Sequence, residues 1–443
     1  MKFPQHFFFG VSNAANQVED AIFDNWIRFT QKTDAVASFH NRSLPNDRLR
    51  FWTEPEIEIN LAKELGVQVF RLSLAWERLV PECNQWNMEA THRYREILKM
   101  IKDSGMKVML TLFHHSIPSW MEDRRGWVNQ ESVEWFNFYS QRAHQELGDL
   151  VDYWITLNEP VPWSYLTYTE GLFPPGIKGN IFRHYQALKH MSAAHNNFFE
   201  FVKGQIPVGI AHHMGFHTGR GLFNKLFSKL TDYLAHWQFL NSIENHMDFF
   251  GINYYGAEWM TISGPAQYED LDFSDAGRAI YPEGLYILLK KISKKFPKLP
   301  IIISENGIGD GSDSVRPAYL TQHLVAVHKS IQEGVNVIGY VHWTLSDNFE
   351  WTDGYGPKFG LVEVKREENL KRLPRSSFYL YQKIIKDHQI TEDQIQESWS
   401  KYQSMVGVPR EYWRSEDGKH GLSNPIMRMT PKQDWRLKQF DKK

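Results

Sequence analysis

The 443-residue chain predicts an α/β fold, a single (β/α)8 TIM barrel over residues 1–390 with a C-terminal extension over residues 391–443. Three observations lead there. Amphipathic stretches that close on a glycine are repeatedly followed by a short apolar, β-rich run. Eight such runs can be counted. Polar or aromatic residues stand at the ends of most of them, as expected where parallel strands open onto one functional face.

The first run is Phe7–Val11. Glu54 to Leu65 then closes on Gly66 and leads into Val67–Leu74. Glu89 to Ser104 closes on Gly105 before Met106–His114, and Gln130 to Leu147 closes on Gly148 before Val151–Glu159. Pro207–His213, Asp248–Tyr255 and Pro300–Glu305 follow. Pro317 to Glu333 closes on Gly334 and leads into Val335–Trp343. Glycine suits the left-handed position just past a helix. The unbroken apolar character of the runs fits strands buried on both faces. An open, doubly wound sheet is the alternative, and it is disfavoured because no glycine-rich phosphate fingerprint follows the first run.

Composition narrows the function classes. A formal net charge of -2 argues against a nucleic-acid partner. The single cysteine, Cys83, allows no intrachain disulfide and fits a reducing compartment. The apolar run near the N-terminus is too short for a signal-peptide core, and no run of about 18 apolar residues occurs. These features predict a cytoplasmic protein. Aromatic residues make up 14% of the chain, with 16 Trp, which fits either a Trp-rich core or a site where aromatic faces stack on sugar rings.

The run ends carry Arg71, His114, Asn158 with Glu159, Asn253 with Tyr255, Glu305 and Trp343. On a barrel these meet at one face. Cleavage of a glycosidic bond needs two carboxyl groups, and in retaining enzymes they stand about 5–5.5 Å apart. Glu159 ends the fourth strand and Glu305 the seventh, across the barrel mouth, so their side chains could flank one bond. Either glutamate alone reads equally as a helix cap or a surface ion-pair partner. The pairs His114-His115 and His212-His213 raise the question of a metal. Adjacent residues on a strand point to opposite faces, His-Glu-x-x-His spacing is absent, and one cysteine cannot build a thiolate site. No metal and no cofactor are expected.

Thr156-Leu-Asn-Glu-Pro160 and Ile303-Ser-Glu-Asn-Gly307 resemble the two signature segments of glycoside hydrolase family 1. Further similarity lies in Phe9-Gly10, Gln17–Glu19, Phe70–Trp76, Thr111–His114 with Pro118, Gly251–Tyr255, Trp343, Asp347–Trp351, Gly354-Tyr355 and Phe359–Leu361. The resemblance spans roughly residues 5–385 and implies roles. Glu159 would be the general acid/base, with a raised pKa before the first step. Glu305 would be the nucleophile, kept ionised by Arg71 and Tyr255. Asn158 would hold the sugar 2-hydroxyl. Gln17, His114, Asn253, Glu350 and Trp351 would bind the rest of the innermost sugar, Trp343 would form its floor, and Phe359 would pack nearby. The implied activity is that of a retaining β-glycosidase on β-glucosides or β-galactosides. A barrel that only binds sugar is a lesser alternative, disfavoured because both carboxylates are present.

Three segments depart from the family pattern: His115-Ser116 after the third-strand motif, Lys358 before Phe359-Gly-Leu361, and Asp20 to Arg28 without a glycine-rich stretch. They resemble a divergent branch that contains plant galactolipid galactosyltransferase, as do Val18–Asp20, Val208–His213 and Asp434–Arg436. That branch passes the glycosyl group to a sugar acceptor instead of water. Both endings stay open, with a small β-glycoside or a glycolipid as partner. An acceptor groove is expected around His115, Ser116, Asn25 and Trp26. From Glu397 to Lys443, ten Lys/Arg stand against six Asp/Glu, a net +4, with Trp399, Trp413 and Trp435 interspersed. Such a tail fits an anionic membrane surface. Packing on the barrel through the Trp residues is the favoured alternative, because Pro409, Gly418, Gly421, Pro425 and Pro431 break any long helix. The sequence carries no signal for oligomeric state.

Overall fold

Parallel strands built from two-faced apolar runs lose their edges altogether when the sheet closes on itself. The computed structural model, which describes residues 1–31, 45, 48–262, 264–266, 271–405 and 434–437, shows that closure. The strands are β1 (Phe8–Ser12), β2 (Val69–Ser73), β3 (Lys107–Phe113), β4 (Tyr153–Asn158), β5 (Val208–His213), β6 (Phe249–Tyr254), β7 (Ile301–Asn306) and β8 (Val337–Trp343). Each pairs in parallel with its sequence neighbours, and β1 closes the ring on β8, with Phe8 opposite Gly339 and Ser12 opposite Trp343. Between β4 and β7 lie β5 and β6.

One residue from each strand fills the barrel interior: Phe8, Val69, Met109, Ile155, Ala211, Phe249, Ile302 and Val341 form a single buried cluster. This plug seals the barrel below its mouth, so the residues farther along each strand face the open end. The alternate positions, such as Phe70, Leu110, Trp154, Phe250 and Ile303, join the larger core under the helices. A helix follows each strand: α1 (Pro55–Leu65), α2 (Met88–Asp103), α3 (Ser132–Leu147), α4 (Ile181–Val202), α5 (Leu222–Asp232), α6 (Pro282–Lys295), α7 (Arg316–Gln332) and α8 (Ser376–Asp387).

Gly66, Gly105 and Gly334 end their helices with φ of +83°, +84° and +87°, the left-handed stop the sequence predicts. Gly148 differs. It stays in the right-handed region and starts a 3-10 turn over Gly148–Leu150, and a Cβ there would stand 3.1 Å from the His144 ring. Close packing against α3 is therefore the reason for that glycine.

Beyond the barrel, α9 (Glu392–Ser404) starts in a capping box between Thr391 and Gln394 and lies against α7. Trp399, Tyr402 and Trp435 pack with Ile280, Val315 and Tyr319, and the Leu437 backbone N–H donates to Gln322 Oε1 at 2.8 Å. Trp413, Pro409, Gly418, Gly421, Pro425 and Pro431 lie outside the described residues. Among the described residues no helix is long and apolar enough to cross a membrane.

Candidate active site

Glu159 closes β4 in a conformation most residues avoid. Its φ is +46°, and it serves as the N-cap of the short helix Pro160–Tyr168. Two more non-glycine residues at the mouth share the left-handed region, His115 at +65° and Trp351 at +54°. Each such residue costs of order 1–3 kcal/mol unless its surroundings impose it, and such outliers gather at functional sites. Glu305 sits within β7 and is almost fully buried. Two residues on, a Cβ on Gly307 would lie 1.8 Å from the Trp343 carbonyl oxygen, so only glycine lets the β7 segment pass beneath Trp343.

The two carboxylates belong to one hydrogen-bonded constellation. Arg71, from β2, donates Nη1 to Glu305 Oε1 at 2.5 Å and Nη2 to Asn158 Oδ1 at 2.7 Å. Tyr255 Oη donates to Glu305 Oε2 at 2.6 Å. Asn253 Nδ2 donates to both Asn158 Oδ1 at 3.0 Å and Glu159 Oε1 at 2.9 Å. Ser304 Oγ donates to Asn253 Oδ1 at 2.7 Å, which fixes the orientation of that amide. Asn158 Nδ2 is shared between His114 Nε2 at 3.0 Å and His115 Nε2 at 3.5 Å. The Asn158 amide is thus engaged at every position, and its long contact to His115 is the bond a sugar hydroxyl could replace.

The remaining predicted residues stand around this centre. The His114 ring lies 5.8 Å from both Trp343 and Trp351, and Phe359 is 6.0 Å from Tyr255 edge-on. Gln17 donates Nε2 to the Phe349 carbonyl at 2.6 Å, which leaves its buried Oε1 without a protein partner. Buried Glu350 Oε1 and His114 Nδ1 are likewise unpartnered. Unmade hydrogen bonds of buried groups are costly, so atoms like these are suited to a polyhydroxylated ligand.

Three expectations change. The His114 and His115 rings do not point to opposite faces but lie 5.0 Å apart. Strand β3 ends at Phe113 and the positive φ of His115 turns its ring back toward Asn158. The strand alternation does hold at His212 and His213. His212 stacks outward on Phe239, and His213 faces Glu159. Asn25, Trp26 and Ser116 are buried; Ser116 Oγ donates to Asn25 Oδ1 at 2.8 Å and Trp26 Nε1 to the His115 carbonyl at 3.0 Å. They brace the wall carrying His115 and Trp351 and do not line an open groove.

The largest correction is electrostatic. His213, absent from the predicted site, places Nδ1 3.4 Å from Glu159 Oε1, while its Nε2 is 3.3 Å from Glu258 Oε1 and His217 Nε2 is 3.1 Å from Glu258 Oε2. Burial lowers the His213 pKa, but Glu159 and Glu258 outweigh it and raise the imidazole to about 9. Burial pushes Glu159 up, and the His213 charge, then His115 and Asn253, pull it below the usual carboxylate range. Burial and the Glu159 charge raise Glu305, against Arg71 and Tyr255. These directions favour the proton on His213 over Glu159 in the ligand-free site, the reverse of the expected order. The strand register explains the placement: His213 is two residues beyond Ala211, which belongs to the barrel-filling layer, so its side chain points inward too.

Among the described residues, His217, Asp232 and His236 have potential ligand atoms within 4.8 Å of one another. Each is committed elsewhere, His217 to Glu258, His236 Nε2 to the Gly215 carbonyl at 3.1 Å and Asp232 to Trp237 Nε1 at 2.9 Å. A separate cleft of about 770 Å³ is lined by Phe23, Trp52, Glu77, Arg78 and Met88, and Ser116 Oγ donates to Glu77 Oε1 at 3.1 Å. Glu77 is raised to about 7 by burial and by the Asp24 charge.

Comparison with known proteins agrees with this arrangement. The chain is 34% identical to the chloroplastic galactolipid galactosyltransferase of Arabidopsis thaliana, over 97% of this chain and 82% of that one. It is 30% identical to β-glucosidase A of Acetivibrio thermocellus, over 87% of this chain and 98% of that one. The structure superposes on the hyperthermophilic β-glucosidase of Pyrococcus furiosus with a TM-score of 0.84 at 26% identity, covering 91% and 99% of the two chains. The profile of glycosyl hydrolase family 1 matches residues 1–218 and 235–390. With a closed eight-stranded barrel and a profile match over most of its length, the chain belongs to glycosyl hydrolase family 1 and is a glycosidase or transglycosylase.

Proposed function

We propose that the enzyme cleaves β-glucosides or β-galactosides with retention, through a covalent glycosyl ester on Glu305. The observation that carries this reading is the chain Glu305–Arg71–Asn158–Asn253–Glu159, which holds two carboxylates in one rigid, buried frame. In the first step Glu305 attacks the anomeric carbon and the bond to the leaving oxygen breaks. That oxygen takes the single proton of the Glu159–His213 pair, which passes from the imidazole through Glu159 and leaves the carboxylate ionised and the imidazole neutral. In the second step an acceptor hydroxyl attacks the ester and gives its proton back to the Glu159–His213 pair. Esterification removes the Glu305 charge, which lowers the proton affinity of the pair in time for its role as base. The unpartnered atoms of Gln17, His114 and Glu350 bind sugar hydroxyls over the aromatic surface of Trp343 and Trp351.

A second ending, galactosyl transfer between galactolipid head groups, is favoured by the similarity to the Arabidopsis galactosyltransferase over nearly the whole chain. Incubation with aryl β-galactoside, aryl β-glucoside and monogalactosyl diacylglycerol separates the readings. Oligogalactolipid products support transfer, free sugar alone supports hydrolysis, and turnover of none of the three refutes both.

A further inference from the structure

Helix α5 is folded inside out. Leu222, Phe223, Leu226 and Leu230 are 71%, 80%, 55% and 52% exposed, while Ser228 on the other side is 5% exposed. At about 100° per residue those four apolar side chains fall within one arc of roughly 100°, and Ser228 lies opposite its centre. Tyr233 and Leu234 continue the exposed apolar surface into the following turn. Lys225 and Lys229 border the stripe on one edge. Between Arg220 and Trp237 three basic residues stand against Asp232, a net +2. A water-facing apolar stripe beside basic residues is the pattern of a helix that lies in a membrane interface.

Two further observations indicate what covers this face. The family profile leaves residues 219–234 unmatched, so α5 falls outside the matched barrel segments. The helix is also placed at the mouth. It packs on the strands Phe216–Thr218 and Ala257–Thr261, which carry His217 and Glu258 and so lead through His213 to Glu159. Ile262, just past the second strand, is strongly exposed on the same structure. The helix Pro160–Tyr168, which Glu159 caps, packs on Tyr233–Trp237 and presents exposed Tyr165.

We propose that α5 is an interfacial anchor whose Leu222, Phe223, Leu226 and Leu230 face inserts into an anionic lipid bilayer, with Lys225 and Lys229 against the head groups. In that pose the barrel mouth lies at the membrane surface, within reach of a lipid-linked sugar. The delivery of lipid substrate rests on the galactolipid reading; the insertion does not.

The test uses the full-length protein and extruded phosphatidylcholine vesicles, either pure or with about one third phosphatidylglycerol. Wild type should sediment with the anionic vesicles. Leu226→Glu with Leu230→Glu should weaken that partition at least about tenfold, since two inserted leucines become charged. Lys225→Glu with Lys229→Glu should reduce binding to the level seen on pure phosphatidylcholine. Aryl β-galactoside hydrolysis in free solution should be unchanged in both variants, which shows that their sites are intact. Turnover of monogalactosyl diacylglycerol in vesicles should fall with binding. Vesicle binding that depends on the leucines, with no product from galactolipid, supports the anchor and refutes the galactolipid reading alone. The anchor is overturned if wild type does not bind, if the double leucine variant binds equally well, or if wild type is a dimer that this variant splits, which assigns the face to a second copy.

Discussion

Tyr255→Phe deletes a single oxygen, and its effect can be worked from the site. The Tyr255 hydroxyl donates to Glu305 Oε2 at 2.6 Å, while Arg71 Nη1 serves only Oε1, together with the Ser304 carbonyl. The substitution therefore leaves Oε2 of a buried carboxylate without its donor. A hydrogen bond to a charged group is worth about 1.5–3 kcal/mol, and about 1.4 kcal/mol corresponds to one pH unit. Tyr255 is among the groups that pull the Glu305 pKa down against burial and the Glu159 charge, so its loss raises that pKa further. In the proposed mechanism Glu305 attacks in its ionised form. The acid limb of kcat/KM should therefore move upward by about 1–2 pH units, with a tenfold to hundredfold loss of activity just below the new limb. The assay is a pH series of kcat/KM on an aryl β-glycoside with a good leaving group. An acid limb that stays in place would refute the assignment of Glu305 as the group that must be ionised.

His213→Gln should move the opposite limb. His213 is held at about 9, so the Glu159–His213 pair keeps its proton up to that pH, and the basic limb should fall by more than one unit without the imidazole; an unchanged basic limb would remove His213 from the proton path. Glu159→Ala should retain activity only on substrates with good leaving groups, and added azide should raise it and yield a glycosyl azide with the substrate's anomeric configuration. Arg316→Ala removes the 2.6 Å partner of buried Asp313 and leaves Oδ1 without a charge partner, with only Lys401, 4.0 Å from Oδ2, as a remaining cation among the described residues. Denaturant unfolding should show a loss of about 3–5 kcal/mol, with no change in the pH limbs of the remaining folded enzyme.

The barrel could be read from the sequence because two-faced burial makes each strand a continuous apolar run, and its ends stay within a residue or two in the structure. The two carboxylates were legible from their motifs and from their place at strand ends. Other features depended on information the sequence does not display. His115 turns through a positive φ, which no periodicity announces, and so joins His114 beside Asn158. His213 reaches Glu159 through strand register, and its partner Glu258 arrives from a separate strand in which it lies opposite His217. Their consequence, an imidazole pushed up and a glutamate pulled down, cannot be inferred from a motif that contains only the glutamate. In α5 the spacing Leu222, Phe223, Leu226, Leu230 announces an amphipathic helix, but the same spacing describes one whose apolar face is buried. Only the packed fold shows that face turned to solvent.

The covalent step on Glu305 can be tested directly by trapping. A 2-deoxy-2-fluoro-β-glycoside with an activated leaving group slows both steps, because fluorine disfavours the oxocarbenium-like transition state, while the good leaving group keeps the first step fast. Intact-protein mass spectrometry should then show the addition of one fluoroglycosyl unit, and peptide mapping should place it on Glu305 within Ile303–Gly307. An enzyme that turns over aryl glycosides but forms no adduct, or carries the adduct on another residue, would contradict the account.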